Sequence, residues 1–150
     1  MLRIFTTTGL ILVLAAHPAA AAMSDADCNA AWTKADTNSD GFVTEAENPR
    51  YFASLRVANK PLADGRMSKA SFLEYCKADL FVSTKIDPGA PLSGSNSFTE
   101  GQAKDRIIAT GLMNVSALQK DPNGVWRGTA MDGTKSVTVA VDYKGNVVTN

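Results

Sequence analysis

The twelve residues DTNSDGFVTEAE, Asp36 to Glu47, set acidic and amide side chains at alternate positions before a glycine and end on a glutamate. Oxygen donors in that order suit a hard cation. An ion of calcium's size takes about six to eight oxygens at roughly 2.3 to 2.6 Å. Asp36, Asn38 and Asp40 alternate so that their side chains converge as the chain winds round one point, and Gly41 permits the sharp turn that a side chain would obstruct. Phe42 then offers its backbone carbonyl, Thr44 contributes directly or through water, and Glu47 closes the shell with both carboxylate oxygens. The expected ligand set for Ca2+ is therefore Asp36, Asn38, Asp40, Phe42, Thr44 and Glu47.

Such a loop needs rigid elements on both sides. Before it, Cys28, Ala31, Trp32 and Ala35 fall on one face of a helix; after it, Tyr51, Phe52 and Leu55 do the same. Helix, oxygen-rich loop and helix together resemble the EF-hand calcium-binding family, over residues 25–81. The resemblance implies a second loop, joined to the first by a two-stranded bridge at loop position eight, here Val43. The partner is residues 60–71, with Asp64 and Gly65 at positions five and six and Met67 at eight. Lys60, Leu62 and Ser71 stand where the other ligands belong, so this second loop is vestigial and takes no ion. It is expected to give a bridge strand and a helix through Phe72, Tyr75 and Cys76. Two departures weaken the first loop. Its shell has only three carboxylates, and Pro49 early in the outgoing helix is expected to cost a backbone hydrogen bond. A Kd on the order of 10⁻⁵ to 10⁻³ M follows.

The remaining chemistry is narrow. The chain's one histidine, His17, lies in residues 1–22, where Arg3, an apolar stretch and the run Ala19 to Ala22 have the layout of a cleavable secretory signal peptide. Cleavage leaves no histidine, which removes Ser-His-Asp and Cys-His catalysis and histidine-held zinc or haem. Cys28 and Cys76 are too few for a cysteine-only zinc site and too far apart for a CxxC pair; in an oxidising compartment they form one disulfide. Fifteen basic residues balance fifteen acidic ones, with neither sign in a run, which argues against a nucleic-acid partner. No membrane segment is expected after cleavage.

Residues 83–97, rich in Ser, Pro and Gly, read as a linker or exposed loop between an N-terminal lobe (24–82) and a C-terminal module (98–150). In that module a helix starts after Phe98 with a Thr99/Gln102 capping box, buries Ile107 and Ile108, and stops at Gly111. The period then changes to two. Strands are expected at Val115 to Lys120, Val125 to Met131, Ser136 to Val141 and Val147–Val148, separated by Asp121-Pro122-Asn123-Gly124, Asp132-Gly133 and Lys144-Gly145-Asn146. Val137, Val139 and Val141 give the sheet one face for the helix and leave the other to water or a partner. Trp126 reads as a packing residue. Residues 98–149, with Gly111, Val115, Leu118, Gly124-x-Trp126, Ala130, Gly133, the strand VTVAVD and Gly145-x-Val147, resemble a PepSY domain. That resemblance implies protein interaction, with a peptidase or another envelope protein as partner.

The fold class expected is α+β: a helical EF-hand lobe joined by a loop to one helix on an antiparallel meander. The expected function is a non-catalytic calcium-binding protein, exported to the bacterial periplasm or secreted, with a PepSY-like module for protein interaction whose implied role is peptidase regulation. A hard-metal scavenger, lanthanides included, is the alternative, because the same oxygens serve trivalent ions. An enzyme built on paired carboxylates is a third class, for which no residues outside the loop are singled out.

Overall fold

The computed structural model describes residues 23–83 and 86–150; the expected signal peptide, with His17, lies outside the described residues. The fold is mixed helix and sheet, with three helices and a two-stranded sheet in the N-terminal half and one helix with a four-stranded antiparallel sheet in the C-terminal half.

Helix α1 (Asp25–Ala35) is capped by the Ser24 hydroxyl, which accepts from the Asp27 amide, and buries Cys28, Trp32 and Ala35 as one stripe. Strand β1 (Phe42–Thr44) leads into helix α2 (Pro49–Val57). Pro49 is the first residue of α2, where its missing N–H would have had no partner in the helix. The hydrogen bond expected to be lost there is therefore not lost. Strand β2 (Arg66–Ser68) pairs antiparallel with β1, Val43 opposite Met67, as the bridge at loop position eight requires. Helix α3 (Lys69–Lys77) follows, capped by Ser68.

These elements enclose an aromatic core. The ring of Phe72 meets Trp32 edge-on at 5.5 Å and Tyr51 at 5.0 Å, with Phe81 against the same cluster. Cys28 and Cys76 are joined at a Cα separation of 5.9 Å, both side chains buried, so the expected disulfide ties α1 to α3.

Helix α4 (Glu100–Ala109) carries the complete capping box: the Thr99 hydroxyl accepts from the Gln102 amide while the Gln102 side chain accepts from Thr99 N–H. It packs Ala103 and Ile107 with Leu118, Ala130, Val139, Val141 and Val147 on the sheet. Ile108 is only half-buried. The sheet runs β3 (Gln119–Lys120), β4 (Trp126–Asp132), β5 (Lys135–Val141) and β6 (Val147–Thr149), a meander in chain order. The first strand is much shorter than expected. Residues 113–118 meet β4 at isolated points, through a bridge from Met113 to Met131, a hydrogen bond from the Ser116 amide to the Thr129 carbonyl and one from the Thr129 amide to the Ser116 hydroxyl.

Residues 86–97 have almost no regular structure, in keeping with their composition, yet they are fastened to the sheet. The Asp87 amide donates to the Val147 carbonyl, the Leu92 amide to the buried Asp142 carboxylate, and the Gly94 amide to the Asn123 carbonyl. The second sheet face is consequently covered at one end, where Val125, Ala140 and Val148 form a small buried cluster with Pro91 beside Ala140 and Val148, while Arg127, Thr129, Ser136 and Thr138 on the same face stay exposed, as expected.

The two cores meet where α2 packs on α4. Ala53 on α2 and Ala109 on α4 are buried but belong to neither core. Among the described residues no helix is long and apolar enough to cross a membrane.

Candidate metal centre

The loop from Asp36 to Glu47 hangs between the last turn of α1 and the first of α2. It winds tightly. Ser39 and Gly41 both take positive φ, +59° and +85°, so the glycine at loop position six occupies a conformation that costs other residues energy.

The side-chain oxygens follow the winding. Asp36, largely buried at the end of α1, accepts from the Asp40 amide through Oδ1 and the Gly41 amide through Oδ2, both at 3.2 Å. Asn38 Oδ1 accepts from the Asp40 amide at 2.9 Å, and Asp40 Oδ1 from the Phe42 amide at 2.9 Å. Asn38 Nδ2 donates to Asp40 Oδ2 at 3.1 Å. Each successive donor residue is thus fixed by the backbone two to five positions ahead of it. A carboxylate has about four lone-pair sites, and these bonds leave roughly half of those on Asp36 and Asp40 free.

Glu47 is differently placed. Its Oε2 accepts from both the amide and the hydroxyl of Thr44 at 2.9 Å, while Oε1 accepts from the Thr37 hydroxyl at 3.2 Å and the Asn38 amide at 3.4 Å. The Thr44 amide, then its hydroxyl, hold this carboxyl below its usual range, against a smaller opposing effect of burial, with Asn38 and Thr37 adding to the lowering. Both oxygens are therefore fully engaged. Among the described residues no three His, Cys, Asp or Glu side chains are gathered into an arrangement that could hold a metal ion; in the loop, the carboxylates are turned onto their own amides and hydroxyls.

The donor set fits a hard cation on its chemistry. It is all oxygen, with Asp36, Asn38, Asp40 and Thr44 retaining unused lone pairs, and Glu47 in reach of both ends of the loop. The expected ligand Phe42 starts β1 opposite Ser68, its ring under the Arg66 guanidinium at 4.7 Å. Residues 60–71 are unlike this: the Asp64 carboxylate accepts from the Arg66 amide, and the segment serves to supply β2.

Four participants were not singled out from sequence. Thr37 donates to Glu47 from a loop position that carries no pattern requirement. Glu45, near the loop's end, is bound to Arg56 on α2 at 2.8 Å, and Arg56 in turn to Asp105 on α4. Only an acidic residue preceding a helix with a basic one signalled this, and such pairs are commonplace on surfaces. The chain matches no protein-family model, no curated protein and no solved structure.

Proposed function

We propose that this is an exported, non-catalytic calcium-binding protein of EF-hand type, whose C-terminal PepSY-like module engages another protein, a peptidase or a further envelope protein. One observation carries the metal reading. An all-oxygen loop with positive φ at its fourth and sixth positions is held between two helices and paired through Val43 to Met67. The disulfide between Cys28 and Cys76 is compatible with an exported protein, and one helix on a four-stranded meander supports the second resemblance.

Bound calcium would supply positive charge that neutralises Asp36, Asp40 and Glu47 and crosslinks α1 to α2. The residues' own task is to present oxygens. Asp36, Asn38 and Asp40 are already oriented by backbone amides, while Glu47 must exchange part of its hydrogen bonding to Thr44, Thr37 and Asn38 for the ion. That exchange offsets part of the binding energy and supports affinity in the weak class.

Calorimetric titration of chelator-treated protein tests the reading. One saturable calcium site, with Kd on the order of 10⁻⁵ to 10⁻³ M, is expected. No binding by about 10 mM would refute it, and a preference of several orders of magnitude for a trivalent lanthanide would replace calcium structuring by metal scavenging.

A further inference from the structure

A cavity of about 170 Å³ opens where α2 meets α4, lined on one side by Arg56, Val57 and Asn59 and on the other by Phe98, Gln102 and Arg106, with Asp105 between them. Most of its polar groups are donors, two guanidinium groups and the NH₂ groups of Asn59 and Gln102, against the Asn59 oxygen and Asp105 as acceptors. Asp105, its one acid, is spent: both carboxylate oxygens accept from Arg56, through Nε at 2.9 and 3.0 Å and Nη2 at 2.8 Å. Gln102 uses its carbonyl oxygen in the capping box, which leaves its NH₂ group free.

Arg106 is held without an acid. Its guanidinium lies over the Phe98 ring at 4.2 Å, and on another side it touches Gly145 so closely that a Cβ there would stand 2.8 Å from the guanidinium carbon. Stacking between a ring and a glycine fixes the plane and leaves the N–H edges unused. Among the described residues Arg106 makes no ion pair, whereas Arg56, one helix away, has two. A half-buried, pre-oriented and unpaired guanidinium in a donor-lined cavity is suited to an oxyanion, and its planar fork matches a carboxylate in particular.

We propose that this cavity binds an organic carboxylate: Arg106 forms the fork, the Gln102 and Asn59 amides flank it, and Phe98 and Val57 receive the adjoining carbon. The apolar pair favours a carboxylate attached to carbon over inorganic phosphate, and a single guanidinium that makes no ion pair suits a single negative charge. The group could be the end of a peptide chain or a free small acid.

Amide NMR titrations of the disulfide-bonded protein separate these sources. The probes are acetyl-trialanine with a free C-terminus, its C-terminal amide, propionate, and inorganic phosphate. Saturable shifts centred on residues 98–106 and on the Arg106 side-chain Nε–H are expected with acetyl-trialanine, with propionate, or with both; the peptide alone identifies a chain end, and propionate at equal affinity identifies a free acid. The amide should bind at least tenfold more weakly. Arg106→Gln should likewise lose at least tenfold, and Arg106→Lys, which keeps the charge and loses the fork, should fall between. Three results would overturn the site: no saturation by either carboxylate below about 50 mM, equal shifts with the amide, or tighter binding of phosphate than of both carboxylates.

Discussion

Arg56 and Asp105 face each other side-on across the junction of the two cores, Nε 2.9 Å from Oδ2 and Nη2 2.8 Å from Oδ1. Arg56 also reaches Glu45 in the candidate metal loop, so one guanidinium touches that loop, the helix that leaves it and the helix of the second module. Asp105 is the first cause, with Glu45 assisting, that raises the Arg56 pKa well above its ordinary value, against an opposing effect of burial.

Asp105→Asn should loosen that junction. The pair is bidentate, but its side chains remain 33% and 19% exposed, so solvent screening limits its worth to about 1–2 kcal/mol. Urea unfolding in low and high salt measures it. The loss should shrink as salt rises, and a salt-independent loss would assign the effect to packing.

Glu47→Gln removes an anion and half of the oxygen donors at the loop's closing position. Calcium affinity should fall at least tenfold by calorimetry. Without metal the fold should change little, because a glutamine oxygen can still accept from the Thr44 amide. Far-UV circular dichroism checks that second half of the expectation.

Acid should weaken the turn around Asp142, which is only 1% exposed. Burial pushes its carboxyl up, yet the Asn146 side chain and amide, with the amides of Leu92 and Lys144, together outweigh burial and hold it below the usual range. A carboxyl with a depressed folded pKa contributes stability above its unfolded value, near 3.9, that is lost as pH falls through the folded one. Stability should therefore decline from about pH 4 downward, and Asp142→Asn should flatten part of that decline. An identical pH profile in the variant would exclude Asp142 as a contributor.

Gly124→Ala should be costly for two separate reasons. The residue has φ of +75°, and a Cβ there would stand 1.9 Å from the Gly94 carbonyl oxygen, closer than any side chain tolerates. The strain alone is worth about 1–3 kcal/mol, and the clash would in addition detach residues 93–96 from the 121–124 turn. A larger drop in Tm for this variant than for Ala at Gly133, where the space is open, would show that the contact with Gly94 adds to the backbone effect.

Local chemistry was what the sequence displayed best. The loop winding, the capping box at Thr99 and the Asp-Gly and Lys-Gly-Asn turns each follow from a few neighbouring residues, the Val43 to Met67 register from the EF-hand resemblance, and the disulfide from a count of two cysteines. Relations between the two halves of the chain were not displayed. Neither Arg56 nor Asp105 has a neighbour that names the other, 49 residues away. The segment 86–97 looks free because its bonds to the sheet are made mostly by backbone amides, which carry no sequence signature, with the Asn96 side chain adding one to the Val141 carbonyl. Residues 115–118 alternate as a strand should, but turn away into isolated contacts with β4. Trp126 is half-buried: its Nε1 donates to the Phe98 carbonyl and Lys120 lies over its ring, an interaction that the strand pattern alone did not indicate.

The bond between Cys28 and Cys76 also decides where mechanical load travels. Tension applied to the chain upstream of residue 28 and downstream of residue 76 would pass through the two sulfur atoms and skip residues 29–75 altogether. The oxygen-lined loop and its bridge to β2 sit inside that bypassed ring. Stretching would instead fall on Phe81, on the segment sewn to the sheet, and on the short outer strand β6.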